Sequence, residues 1–271
     1  MQSPHIKAIV KLFETFRYKH DLYGVFSDWN QCAAIALSNA ADLTRYEKRE
    51  ARYLEIVRKY EKVELETFST VLGEVTLALE ERPQDVLGTI FHALELHNST
   101  RGQFFTPYSI CSMMARLVMG TREELQQKIE ERGFICAEEP AVGAGAMVIA
   151  LAEAIKEMGI NYQQCLHVTA VDIDPRAVHM SYIQFTLMHI PAVVLQGNSL
   201  AMTVQDEWHT LAHVMGNWRS RLAKAGNEGE RSVRPSIEMP EPDNVSATVA
   251  RISKKPVTHY EAGKGGQMQL F

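Results

Sequence analysis

The sequence lacks several features on which other classes of protein depend. No run of apolar residues is long enough to span a bilayer, and the first residues lack the pattern of a signal peptide. A cytoplasmic protein is therefore expected. The cysteines number only four, form no Cys-x-x-Cys pair and have no histidine pair nearby, so we expect neither disulfides nor a metal site; they are Cys32, Cys111, Cys136 and Cys165.

An excess of positive charge is also absent. The net charge is −5 and the pI is about 6.1, which argues against a stand-alone DNA-binding protein. Basic residues do cluster between residues 45 and 59, where glutamates interleave with them at helical spacing. This mixture favours a solvated, salt-bridged helix face, with contact to DNA as the alternative; the basic residues are Arg45, Lys48, Arg49, Arg52, Arg58 and Lys59.

A glycine turn is the most informative feature that is present. Residues 139–145 read EPAVGAG, after an apolar run and before a helical pattern. Two glycines between a strand and a helix let the backbone turn tightly and approach a ligand, and the helix amides then face that ligand. A second apolar run ends in Asp172, where the ribose hydroxyls of a nucleoside cofactor would be held. Together they predict a nucleoside cofactor on a doubly wound sheet, with a purely structural turn as the alternative.

Two other nucleotide sites are disfavoured by the same turn. A nicotinamide or flavin site typically has a third glycine three residues on, where this sequence has Val148. A P-loop needs Gly-Lys followed by Ser or Thr, which is absent from the turn.

Four segments in a fixed order resemble a known family. They are DVLGTIFHAL (85–94) with GQFFTP (102–107), the glycine turn, Asp172, and GNSL (197–200). This order is similar to that of the N6-adenine DNA methyltransferases, and most similar to the modification subunits of type I restriction–modification systems, which are bacterial, phage or plasmid-borne. The resemblance implies an α/β fold, with the Rossmann-like parallel sheet of S-adenosylmethionine-dependent methyltransferases.

The resemblance also implies a set of cofactor contacts. The segment 103–107 would wrap over the methionine end of S-adenosylmethionine, and Glu139, where the family usually has Asp, would keep a carboxylate near the methionine ammonium. Asp172 would hold the ribose, and Asn198, where Asp is common, would pair with the adenine edge. The implied cofactor-binding residues are Gln103, Phe104, Phe105, Thr106, Pro107, Glu139, Pro140, Gly143, Gly145, Asp172 and Asn198.

The sequence departs from the family in the loop that handles the target base. Members carry Asn-Pro-Pro-Tyr/Phe, whose amide and carbonyl oxygens accept the two amino hydrogens of adenine while the ring stacks on the extruded base. No Pro-Pro dipeptide follows Leu200, so the catalytic residues are unknown. Asn217 and Trp218 are weak candidates, and their helical flanks favour a surface position for Asn217 and a core position for Trp218 instead.

The chain divides by pattern into three parts. Residues 1–100 show helical apolar stripes, residues 101–222 form the predicted cofactor-binding domain, and residues 223–271 have the composition of a disordered tail. We find three predicted strands, at 134–137, 167–171 and 192–196, and no convincing strand after Leu200. A truncated sheet with an exposed edge is therefore expected.

The last five residues, QMQLF, follow a glycine-bearing linker. They resemble the Gln-x-x-Leu-Phe peptides with which bacterial replication and repair proteins dock on the DNA polymerase sliding clamp. Gln267, Leu270 and Phe271 would make that contact, and an accidental tail is the alternative.

Two functions remain open from the sequence. The first is methyl transfer to adenine N6 in DNA. The second is a catalytically inactive or partner-dependent methyltransferase-like module, acting as a cofactor sensor or as a modulator of restriction–modification or replication-associated complexes. The expected partners are DNA, the sliding clamp, and a specificity subunit or a second copy of the chain, because the chain leaves no room for a target-recognition domain.

Overall fold

The computed structural model describes residues 3–96, 106–232 and 267–269, with backbone alone for 226–232 and 267–269. Its first part is helical, as the apolar stripes predict. The elements are α1 (Pro4–Glu14), α2 (Leu22–Asn39), a 3₁₀ turn (Leu43–Arg45), α3 (Tyr46–Val57), α4 (Lys62–Glu81) and α5 (Val86–Ala93).

Local sequence signals fix these helices. Ser3 caps α1 and Pro4 occupies its first turn, while Asp21 caps α2 by accepting a hydrogen bond from the Gly24 N–H at 2.8 Å. Phe13 and Trp29 then meet edge-to-face with ring centroids 5.7 Å apart. The apolar stripes of the helices therefore close on one aromatic core.

The second part is an α/β layer. Its elements are α6 (Tyr108–Met119), α7 (Arg122–Arg132), β1 (Ile135–Glu139), α8 (Ala146–Glu157), α9 (Tyr162–Cys165), β2 (Leu166–Asp172), α10 (Pro175–Leu187), β3 (Ala192–Asn198), β4 (Thr203–His209), α11 (Leu211–Met215), α12 (Trp218–Ser232) and β5 (Gln267–Gln269). The sheet order is β4-β3-β2-β1-β5. Strands β1, β2 and β3 are parallel, with α8 and α10 as the connecting helices, so the predicted α/β fold is confirmed.

One expectation about the sheet is wrong. A strand does follow Leu200: β4 runs antiparallel to β3, which makes the sheet mixed. The sequence hides it because β4 is an edge strand in which only Trp208 is buried, while its first three residues are exposed. A strand with one partner and one buried side chain shows no apolar alternation.

The tail differs from the expected boundary at residue 222. Helix α12 continues to Ser232, and Gln267–Gln269 pairs in parallel with β1, with Cys136 opposite Gln267. The rest of the tail, including Leu270 and Phe271, lies outside the described residues.

The helical part and the sheet share a continuous hydrophobic core. Helix α2 packs along α10, and α5 contacts α10 as well. On the β4 side, the Arg49 guanidinium lies 3.8 Å from the ring centroid of Trp208 and donates to the Glu207 carbonyl oxygen at 2.8 Å. Throughout the described ranges, no helix combines the length and apolarity needed to cross a bilayer.

Candidate cofactor site

Three of the predicted side chains stand at the same edge of the sheet. Glu139, Asp172 and Asn198 are the last residues of β1, β2 and β3. Because these strands are adjacent and parallel, their carboxyl ends open toward one crevice. In doubly wound sheets this crevice is where ligands bind.

The turn after β1 requires glycine at two positions. Gly143 has φ of 55° and Gly145 has φ of 102°, both in the region that side chains disfavour. A Cβ built on Gly145 would lie 2.6 Å from Cε1 of Phe185 on α10. The second glycine therefore serves both the turn and the close packing of the loop against α10.

Asp172 holds this turn together through two hydrogen bonds. Its Oδ2 accepts from the Gly143 N–H and its Oδ1 accepts from the Asp174 N–H, both at 2.9 Å. Burial raises the pKa of Asp172, and these two N–H donors partly offset that rise. Each oxygen keeps a second lone pair, so the carboxylate can still accept from a hydroxyl.

Glu139 is a buried carboxylate, with Oε1 accepting from the Ala141 N–H at 3.1 Å. Burial raises the pKa of Glu139, and the negative charge of Asp172 raises it further. Among the described residues no cationic side chain acts against this rise. A ligand ammonium placed here would stabilise the ionised form, so the site fits the methionine end of S-adenosylmethionine.

Asn198 makes a turn after β3. Its Oδ1 accepts from the N–H groups of Leu200 and Ala201, both at 3.0 Å. Because two backbone donors require an acceptor, the amide oxygen must face the turn, and the Nδ2 donor points away from it. The Nδ2 group is therefore the part of the Asn198 side chain that is available to donate a hydrogen bond to the edge of a base.

The other predicted cofactor contacts are only partly placed. Gln103, Phe104 and Phe105 lie outside the described residues. Thr106 and Pro107 are exposed, and α6 begins at the next residue. Helix α6 packs along α8, and α8 begins directly after Gly145. The segment 103–107 therefore leads into a helix that packs against the helix following the glycine turn. Pro140, half-buried, follows β1 directly.

The structure separates the two weak catalytic candidates from this crevice. Trp218 is fully buried, as the core interpretation predicted, with its ring centroid 5.3 Å from those of both Phe134 and His167. Phe134 precedes β1 and His167 lies near the start of β2, so Trp218 sits at the amino edge of the sheet. Asn217 is exposed, with φ of 50°, at the start of the helix that carries Trp218. A buried ring at the opposite edge cannot stack on a base beside Glu139.

One residue that reaches the loop has no clear signal in the sequence. Gln184 on α10 is fully buried, and its Nε2 donates to the Ala144 carbonyl oxygen, between the two glycines, at 2.7 Å. The only hint of it is a single amide between two apolar residues of α10, Ile183 and Phe185. The structure describes no group of histidine, cysteine and carboxylate side chains able to hold a metal ion in the ranges it covers.

The family model described as N-6 DNA methylase matches residues 83–235, more than half of the chain. No curated protein matches. A solved structure from Listeria monocytogenes, described as a putative class I S-adenosylmethionine-dependent methyltransferase, is similar to the chain with a TM-score of 0.41 and 12% identity, over 84% of this chain and 79% of that one. By the family match, the chain belongs to the N-6 DNA methylases, a family of methyltransferases, and its cofactor is S-adenosylmethionine.

Proposed function

We propose that the protein methylates adenine N6 in DNA, as a relative of type I modification subunits. The observation that carries the proposal is the pair of carboxylates, Glu139 and Asp172, that end adjacent parallel strands on either side of the glycine turn. S-adenosylmethionine supplies the methyl group in such a reaction. The residues of this chain hold and orient it.

Each residue has a separate task in this proposal. Glu139 accepts from the methionine ammonium, which keeps the carboxylate ionised despite its burial. Asp172 accepts from the ribose hydroxyls with the lone pairs that the Gly143 and Asp174 N–H groups leave unused. Asn198 donates from Nδ2 to the adenine ring of the cofactor. Positioning of this kind contributes to catalysis because it replaces a random encounter with a held geometry.

A second candidate function is a module that depends on a partner for catalysis. In a doubly wound sheet the second half continues outward from β1. In the described part of the chain, that side of β1 carries only Gln267–Gln269. A partner chain pairing at this edge would bring base-handling groups to the crevice, which would account for the missing Pro-Pro loop.

The proposed partners follow from the same features. We propose that Gln267, Leu270 and Phe271 dock on the sliding clamp, which would require Gln267–Gln269 to leave β1. A chain lacking residues 267–271 should then fail to bind purified clamp in a sedimentation assay while keeping its affinity for S-adenosylmethionine. Clamp binding by the shortened chain would refute this role.

DNA contact through the basic residues of 45–59 has less support. Four of the six pair with carboxylates of the same chain: Arg45 with Asp206, Arg49 with Asp42, Arg52 with Glu55 and Lys59 with Asp28. A specificity subunit or a second copy of the chain is therefore the proposed source of target recognition.

The deciding experiment is calorimetric titration with S-adenosylmethionine, followed by tritiated methyl transfer to unmethylated bacterial DNA. Binding with transfer supports the enzyme, and binding without transfer supports the partner-dependent module. No binding contradicts both. Asp172→Asn should weaken binding because it exchanges one acceptor oxygen for a donor. Asp174→Asn is the matched control, since Asp174 caps α10 at the same strand tip.

A further inference from the structure

We propose that Gln184 is a positioning residue that sets the conformation of the cofactor loop and couples it to the start of helix α5. The inference rests on the loop 139–145 being the cofactor site. Gln184 lies on α10, the helix that begins three residues after Asp172, and its side chain faces the loop.

Gln184 uses every hydrogen-bonding position of its amide. Nε2 donates to the Ala144 carbonyl oxygen at 2.7 Å and to Asp85 Oδ1 at 3.0 Å. Oε1 accepts from the N–H groups of Val86 at 2.8 Å and Leu87 at 3.2 Å. Two donors and two acceptors are the full capacity of a glutamine amide. A fully buried and fully satisfied amide has one orientation, so it can fix the groups that it joins.

On the loop side, Gln184 holds one end of a single peptide group. In the Ala144–Gly145 peptide, the Ala144 carbonyl oxygen accepts from Gln184 Nε2. The Gly145 N–H donates to the Val142 carbonyl oxygen at 2.9 Å. With both ends engaged, this peptide plane cannot flip. The orientation of that plane determines the φ of Gly145, at the residue that precedes helix α8. Loss of the Gln184 amide would leave only the Val142 contact to hold it.

On the helical side, Gln184 supports the N-terminus of α5. Asp85 caps this helix by accepting from the Gly88 N–H at 2.9 Å. Burial raises the pKa of Asp85, and the hydrogen bond from Gln184 acts in the opposite direction. The first two N–H groups of α5, those of Val86 and Leu87, also donate to Gln184 Oε1. The helix that leads toward residues 97–105 is therefore tied to the loop through one side chain.

The test compares two variants of α10 in the full chain. Gln184→Leu removes the amide at similar volume, whereas Ile183→Ala removes buried apolar atoms from the neighbouring position and leaves all four hydrogen bonds in place. Both are expected to lower the melting temperature. Gln184→Leu should in addition weaken S-adenosylmethionine binding by about tenfold or more, as expected for a lost buried hydrogen bond partner. Ile183→Ala should stay within about twofold of the wild-type affinity, since it touches no bond to the loop.

A third variant gives a signature that general destabilisation does not. Gln184→Glu keeps the acceptor for Val86 and Leu87 but loses the donor toward Asp85 and Ala144. When the new carboxyl is protonated it can donate to one of them, and when it is ionised it repels both. The affinity of Gln184→Glu relative to wild type should therefore fall as the pH rises. Parallel pH profiles for the two proteins would overturn the proposal.

A readout without the cofactor separates this inference from the proposed function. Amide hydrogen exchange at Gly145 should be faster in Gln184→Leu than in Ile183→Ala at matched stability. If wild type fails to bind S-adenosylmethionine, the assignment of the site fails, and faster exchange would still establish the positioning role. If wild type binds and both variants behave alike in affinity and exchange, Gln184 has only a structural role.

Discussion

Replacement of Gly145 by alanine tests the glycine turn most directly. A Cβ there would lie 2.6 Å from Cε1 and 2.9 Å from Cζ of Phe185, at a φ of 102°. The backbone conformation alone costs an L-residue about 1–2 kcal/mol. The contact with a ring that is itself fully buried adds about 1–3 kcal/mol, as for other insertions into a packed core. We expect Gly145→Ala to lower the free energy of unfolding by about 2–5 kcal/mol.

Gly133 offers the matched control. It also has a positive φ, of 82°, but a Cβ built on it meets nothing within 4 Å. Gly133→Ala should therefore show the backbone cost, about 1–2 kcal/mol, without the contact. The difference between the two variants isolates the collision with Phe185. Because Gly133 ends α7 and belongs to no part of the loop, its variant should also keep its affinity for S-adenosylmethionine.

The assays are urea unfolding and calorimetric titration on both variants. Gly145→Ala is expected to lose measurable binding, because the loop must move away from Phe185 and the Gly143 N–H then leaves Asp172. Phe185→Leu in the Gly145→Ala background should recover part of the lost stability by removing ring atoms from the contact. Equal stability losses in the two glycine variants, or wild-type affinity in Gly145→Ala, would refute the reasoning.

Two further results are expected elsewhere in the fold. Burial lowers the pKa of His179 to about 4, from its ordinary value of 6.5. The folded state therefore keeps this ring neutral. The stability that the neutral His179 contributes is fully present above pH 6.5 and is lost as the pH falls toward 4. Between pH 7 and pH 5 the free energy of unfolding should fall by about 2 kcal/mol through this residue. His179→Leu should flatten the pH dependence of urea unfolding by that amount, and an unchanged slope would count against the burial of a neutral ring. Trp218→Ala should lower the free energy of unfolding by about 3–5 kcal/mol while the affinity for S-adenosylmethionine in calorimetry stays at the wild-type value; a selective loss of affinity would return Trp218 to the candidate site.

The parts of the site that are predictable from sequence have local signatures. A glycine needed for a turn and a carboxylate at a strand tip stand next to apolar runs, so the residue pattern alone predicts the turn at Gly145 and the strand-end position of Asp172, and both are observed. The core position of Trp218 follows in the same way from helical spacing and is confirmed.

The missed elements depend on contacts distant in sequence. Strand β4 is held by pairing with β3 and by Arg49, whose guanidinium covers Trp208. Neither contact produces a periodic apolar pattern in the sequence of β4. Gln184 reaches Asp85, 99 residues away in sequence, and a single buried amide has no spacing to recognise. Once β4 is located, its direction follows from the four residues that connect it to β3, because a parallel pair would need a crossover of a dozen or more residues.

The shared core of the helical part and the sheet has a practical consequence for any shortened form of the protein. The family match begins at residue 83, but a fragment starting there would lose α2, which covers one side of α10, and Arg49, which covers Trp208. The apolar face of α10 would then be open to water, and such a face promotes self-association. The region that the family model matches is thus shorter than the part of the chain that shares one hydrophobic core. A fragment intended to stay soluble must therefore begin well before residue 83.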